Sequence, residues 1–138
     1  MAGLFVYGSL MTGFWNYQEF LADANLGKVK KARIKGTLYH LSAGYPALKE
    51  GNDWVYGEYY EVESFDAMLV EQLDELEGYY GEENPKNLYN REVRTIEVWN
   101  DDTKNYEEKT AFVYAYNQSV DTEMYIPHGD WRVYVKEN

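Results

Sequence analysis

The sequence predicts an α+β fold: a small, mostly antiparallel β-barrel of about six strands with two flanking helices. Three observations carry that expectation. The 138 residues suffice for one hydrophobic core and are short for two, so residues 1–138 read as a single domain. Runs rich in β-branched and aromatic residues recur along the chain, separated by Gly, Asn and Asp turns. Only two segments place apolar residues at helical spacing. Strands that outnumber helices in this way are expected to curl over one core.

The elements follow in order. Gly3-Leu-Phe-Val-Tyr7 reads as a short buried strand, broken by Gly8. Phe14–Ala24 has helical spacing at Phe14, Tyr17, Leu21 and Ala24, with Asn25 or Gly27 as its stop. Val29–Leu41 alternates as a strand does, and Gly36 marks a bend or bulge. Gly44-Tyr-Pro-Ala-Leu48 is a turn leading into a short extended piece. Trp54–Val62 is β-branched and aromatic, hence a strand. Ser64 is a suitable N-cap for a helix over Phe65–Glu77, which Gly78 ends. The acid-rich connection Gly81–Asn87 is expected to be exposed. Tyr89–Trp99 and Lys109–Asn117 form two long strands joined by the polar turn Asn100–Asn105. Beyond Asn117 the chain reads as irregular, anchored by Tyr125, Ile126 and Trp131.

Composition removes several functions. The chain has no cysteine, which excludes disulfides, thiol catalysis and thiolate metal sites. It carries 24 acids against 13 bases, a net charge of −11 that repels phosphate backbones and anionic lipid. Neither nucleic acid nor a membrane is therefore an expected partner. The basic run Lys28–Lys35 reads as the wet face and leading edge of a strand. No signal-like start and no apolar stretch near the ~20 residues of a membrane span is present, so a soluble, cytoplasmic domain is expected. His40 and His128 stand apart without ligand spacing, and no metal is expected. No phosphate-binding glycine loop occurs, and Ser9 is not in a nucleophile elbow.

Two places carry candidate chemistry. The helix ending in Leu73-Asp-Glu-Leu-Glu-Gly78 has three acids in its last turn. With about 100° per residue and Leu73 at zero, Leu69, Leu76 and Phe65 lie at about −40° to −80° and Val70 at about +60°. Glu77 falls at about +40°, inside this apolar arc, whereas Asp74 and Glu75, at about 100° and 200°, turn toward water. Two readings of Glu77 fit that geometry. It swings outward at a frayed end or pairs with Arg91 or Arg94; alternatively, it is held in an apolar pocket, where its pKa rises toward neutrality and it can take and return a proton. The second place is Tyr7-Gly-Ser-Leu10. It is either an ordinary turn or a set of free backbone amides that cradle a carboxylate or oxyanion, with Gly8 allowing close approach.

Read together, Phe5-Val-Tyr-Gly-Ser-Leu10, Ile34-Lys-Gly-Thr-Leu-Tyr39, Gly44-Tyr-Pro-Ala-Leu48, Val55-Tyr-Gly-Glu-Tyr59, Leu73-Asp-Glu-Leu-Glu-Gly-Tyr79 and Tyr89-Asn-Arg91 resemble the gamma-glutamylcyclotransferase-like family. The resemblance covers most of the chain up to about Tyr116. It implies a small barrel with a cavity at its open end, and an enzyme that splits a γ-glutamyl amine or amide into 5-oxoproline and the free amine. It places the catalytic glutamate on Glu77 and the substrate-holding loop on Tyr7, Gly8, Ser9 and Leu10. Tyr45, Tyr89, Tyr114 and Tyr116 become candidate pocket walls, Tyr125 a candidate contact for the amine half, and Arg91 a structural partner for Asp74. No cofactor is required; the expected partner is a small γ-glutamyl substrate, and the expected state is a monomer or homodimer. The alternatives are a non-catalytic small-molecule binding domain on the same barrel, or an interaction domain using Trp15 and Trp54.

Overall fold

The computed structural model describes residues 3–8, 10–14, 29–60, 67–82 and 84–137. The helix expected over Phe14–Ala24 (apart from Phe14), the Ser64 cap and Ser9 lie outside these residues. Six strands are present: β1 (Gly3–Val6), β2 (Val29–His40), β3 (Pro46–Tyr60), β4 (Tyr89–Asn100), β5 (Asn105–Tyr116) and β6 (Tyr125–Ile126). Two helices, α1 (Ala67–Glu77) and α2 (Trp131–Glu137), flank them.

The pairings close a ring. The sheet runs β3-β1-β5-β4-β2-β6, and β3 also pairs with β2, so five strands meet around one core while β6 adds to the edge of β2. Every pairing is antiparallel except β1 with β5, where Gly3 and Leu4 face Ala111 and Phe112. The fold expectation is thus met: a six-stranded mixed sheet that closes on itself with two helices beside it. β1 is buried throughout, as its unbroken apolar run requires for a strand covered on both faces. Phe5, Ile34, Leu38, Val55, Ile96 and Val113 fill the centre.

Three local expectations need correction. Gly44–Leu48 and Trp54–Val62 are not separate extended pieces; Pro46–Tyr60 is one 15-residue strand. It survives the polar Glu50-Gly-Asn-Asp53 stretch because β3 itself bulges there, leaving Glu50, Gly51 and Asn52 without register partners while β2 runs on uninterrupted. The register steps from Gly36↔Asp53 to Thr37↔Lys49, at the glycine where a bulge was expected, and the Thr37 hydroxyl donates to the Glu50 carbonyl at 3.2 Å. The strand expected from Lys109 begins at Asn105, because its polar first half pairs fully with β4 beside solvent. Finally, the tail is not irregular. Trp131–Glu137 is a helix whose buried Trp131 stacks on Tyr134, with ring centroids 5.3 Å apart.

The basic run lies on β2, as expected of a strand: Ala32 and Ile34 are buried between exposed Lys31 and Lys35. Arg33 is sandwiched between Trp54 and Tyr106, 3.9 and 3.8 Å from their ring centres, and pairs with Glu97 at 2.7 Å. The turn between β4 and β5 is polar as read, with Asn100 Oδ1 accepting from the amides of Asp102 and Thr103. Among the described residues, no helix is long and apolar enough to cross a membrane.

Candidate active site

The end of α1 is fixed by its stop signal. Gly78 adopts φ 67°, Tyr79 N donates to Asp74 O at 2.9 Å, and Gly78 N to Glu75 O at 3.3 Å. These two bonds form a Schellman cap, which needs a residue without a β-carbon at the left-handed position. Leu88 N then donates to Gly78 O at 3.0 Å and ties the following loop to the cap. Glu77 is therefore the last helical residue of a closed terminus. It is not at a frayed end.

Glu77 opens into a cavity of about 170 Å³ lined by Phe5, Val6, Tyr7, Gly8, Leu10, Tyr45, Pro46, Leu76, Glu77, Leu88, Tyr89 and Tyr114. Among the described residues, it is the sole charged side chain in that lining. No hydrogen bond or ion pair reaches its carboxylate among the described residues, and both arginines considered as partners are engaged elsewhere. Arg91 holds Asp74 at 2.8 Å, and Arg94 holds Glu92 at 3.3 Å. The residue is partly exposed, yet protein surrounds most of its carboxylate. Burial pushes its pKa from 4.5 up to about 7, since few dipoles remain to solvate the anion.

Three tyrosines surround the acid, and each phenol donates elsewhere. Tyr7 OH donates to the Tyr114 carbonyl, Tyr89 OH to the Pro46 carbonyl at 2.6 Å, and Tyr114 OH to Asp74 Oδ1 at 2.6 Å. Burial raises the pKa of all three, with Glu77 adding to the effect, so the ring around the acid remains neutral and protonated. Asp74 corrects a sequence expectation. It does not simply face water: β4 and β5 pass beside that flank of α1, and Asp74 bridges Arg91 and Tyr114 half-buried between them. Its pairing with Arg91 is as expected.

Gly8 matters for a reason that sequence did not supply. A β-carbon there would lie 2.5 Å from Pro46 Cγ, so the turn after β1 packs directly on the start of β3. The Gly8 carbonyl accepts from Met11 N at 3.0 Å, while the described hydrogen bonds include none donated by the amides of Gly8 or Leu10. Both residues line the cavity that holds Glu77.

The structure thus brings Tyr7, Gly8, Leu10, Tyr45, Glu77, Tyr89 and Tyr114 to one cavity. Tyr116 packs edge-on against Tyr89, with ring centroids 5.1 Å apart, outside the lining. Tyr125 is elsewhere: exposed on β6, it donates its hydroxyl to Asp53, and that bond raises its pKa. Pro46, Leu76 and Leu88 belong to the lining without having been expected there. Leu76 lies in the apolar arc of α1, but Leu88 follows a loop that only tertiary structure folds back. The agent is Asn87, fully buried although an exposed connection was expected. It accepts from Tyr80 N at 2.6 Å and donates to the Gly81 carbonyl at 2.8 Å. Among the described residues, no group of three or more His, Cys, Asp or Glu could hold a metal ion.

Comparison with known proteins agrees with this architecture. Residues 4–133 match the family described as Gamma-glutamyl cyclotransferase, AIG2-like. Over 91 residues, 66% of this chain, the sequence is 40% identical to the gamma-L-glutamyl-butirosin B gamma-glutamyl cyclotransferase of Niallia circulans, and the match spans 55% of that relative's length. The fold superposes on YkqA from Bacillus subtilis with a TM-score of 0.66 and 26% identity, covering 99% of this chain and 43% of that one. An AIG2-like protein from Mus musculus gives the same TM-score at 21% identity, with 95% of this chain and 88% of that one covered. The chain belongs to the gamma-glutamyl cyclotransferase, AIG2-like family.

Proposed function

We propose that this protein cleaves a small γ-glutamyl amine or amide to 5-oxoproline and the free amine, with Glu77 acting first as base and then as acid. The observation that carries the reading is the state of Glu77: among the described residues, a carboxylate without a partner, its pKa raised to about 7, in an otherwise uncharged cavity lining. A carboxylate with that pKa is half-protonated near neutrality and can both accept and return a proton there.

The substrate supplies its own nucleophile. Its α-amine attacks the γ-carbonyl carbon, closing a five-membered lactam, while Glu77 takes the proton released from the attacking nitrogen. The bond from that carbon to the leaving nitrogen then breaks as Glu77 returns the proton to it. Tethering the nucleophile three carbons from its target replaces the enzyme nucleophile that other amide-cleaving sites need. The protein's remaining task is to hold the bent conformer. In this reading, the amides of Gly8 and Leu10 accept the α-carboxylate as a ligand. Local dipoles thereby hold an anion inside a protein of net charge −11.

The name of the Niallia circulans relative, a gamma-glutamyl cyclotransferase of gamma-L-glutamyl-butirosin B, supports the reaction class. The test is incubation of the pure protein with a panel of γ-glutamyl compounds, with 5-oxoproline measured by mass spectrometry. Release from at least one compound by the parent, abolished in Glu77→Gln, is expected. Release that persists in Glu77→Gln would remove the acid from the mechanism. Gly8→Val, which forces a side chain against Pro46, is expected to weaken 5-oxoproline binding in calorimetry.

A further inference from the structure

The Val55-Tyr-Gly-Glu-Tyr59 motif contains one acid that the reaction does not use. Glu58 lies on β3 opposite Val6, next to the point where β1 runs into the Gly8 turn. The two strands approach closely there because Gly57 has no side chain; a β-carbon at that position would sit 2.1 Å from the Val6 carbonyl. Glu58 reaches past the end of β1 and accepts the Thr12 amide on Oε1 at 2.7 Å and the Thr12 hydroxyl on Oε2 at 2.8 Å. From the other end of the chain, Arg132 on α2 donates to the Thr12 carbonyl at 2.8 Å and lies 3.7 Å from Glu58 Oε2. Its guanidinium also covers the Phe14 ring, 5.1 Å from the centroid.

Thr12 is thus held at its amide, hydroxyl and carbonyl together. It is the first inner residue of the second of two successive turns, Met11 N to Gly8 O and Phe14 N to Met11 O, that continue directly from the proposed substrate-holding loop. The Tyr60 hydroxyl lies 3.3 Å from the Leu10 carbonyl, adding a fourth tie two residues earlier. Short turns with free amides have little rigidity of their own, and amides that bind an anion must already point at it. We propose that Glu58 and Arg132 are positioning residues: a clamp on Thr12 that fixes the direction of the Gly8 and Leu10 amides toward the cavity. The inference deepens the proposed function and rests on its assignment of the loop to substrate binding. It also gives α2 a role in the site, although α2 contributes no residue to the cavity wall.

The experiment compares the parent with Arg132→Met, Glu58→Gln and, as a control on the solvent face of α2, Val135→Ala. Hydrogen exchange of the 10–14 segment, 5-oxoproline affinity by calorimetry and Tm are measured on each. Arg132→Met is expected to accelerate exchange in that segment and weaken 5-oxoproline binding about tenfold, as removal of one charge-assisted bond would. Its Tm should remain close to that of Val135→Ala. Glu58→Gln, which keeps shape but loses charge, should move exchange and affinity in the same direction by less. Unchanged exchange in both variants, or faster exchange with unchanged affinity, overturns the clamp. A parent that binds no 5-oxoproline overturns the loop's assignment to substrate instead, and the exchange data still decide whether the two residues hold Thr12.

Discussion

Asp74 and Glu77 sit one turn apart on the same helix and are treated in opposite ways. Asp74 has a guanidinium at 2.8 Å and a phenol at 2.6 Å. Glu77 faces three phenols, all of which donate elsewhere, and has no partner among the described residues. Donors are therefore abundant around the helix end but are directed away from one of its acids. Leaving a half-buried carboxylate without donors is costly, and a structural acid has no reason to remain so. The contrast teaches that the environment of Glu77 raises its proton affinity, while that of Asp74 ties it in place between Arg91 and Tyr114.

The largest expected effect comes from Glu77→Gln, which keeps shape but cannot carry the proton. Turnover should fall by on the order of 10²–10⁴, read as 5-oxoproline release. A variant within a few-fold of the parent would erase the distinction between the two acids.

The next effect concerns pH. The folded protein holds the Glu77 proton up to about pH 7, whereas the unfolded chain releases it near 4.5. Between those values the folded state binds more protons, so this acid's contribution to stability falls as pH rises through the window. The full change is about 3 kcal/mol. Denaturant melts of Glu77→Gln should lack this slope, leaving it more stable than the parent at pH 8. Parallel pH profiles for the two proteins would mean that Glu77 has an ordinary pKa.

A smaller loss is expected for Asp74→Asn. One amide oxygen cannot serve both Arg91 and Tyr114 as a carboxylate does, so stability should drop by about 1–3 kcal/mol while the folded fraction keeps turnover within a few-fold. A collapse of turnover with Tm intact would place Asp74 in the chemistry. Glu75→Gln, at an exposed position, should change stability by no more than about 0.5 kcal/mol and leave turnover unaltered.

The inward aim of Glu77 was legible because a helix repeats every 3.6 residues and Gly78 marks its end. The long strands and the β4–β5 turn were legible for similarly local reasons. Asp74 was misjudged because its angle on an isolated helix says nothing about which strands pass alongside. β3 was split because Glu50-Gly-Asn-Asp53 looks like a turn, whereas it is a bulge in β3 that pairing with β2 on either side holds in the strand. α2 was missed because Val133 and Val135 suggest no helix by propensity; its buried Trp131 anchors it to the core. Glu58 could be seen as an acid amid aromatic strand residues, but its partners come from both ends of the chain.

That last arrangement has a consequence for synthesis. The Tyr7–Tyr114 and Thr12–Arg132 bonds join positions 107 and 120 residues apart. At roughly 5–20 residues per second, a ribosome needs about 6–24 s to make the second partner after the first. For most of that interval β1 lacks its parallel neighbour β5, and until its end it lacks the helix α2 beyond it. Its apolar edge must wait, and contacts so distant in sequence form slowly even once the chain is complete. The proposed binding loop is encoded first and finished last, so a nascent chain truncated before Arg132 would carry every described residue of the cavity wall and still lack the proposed brace.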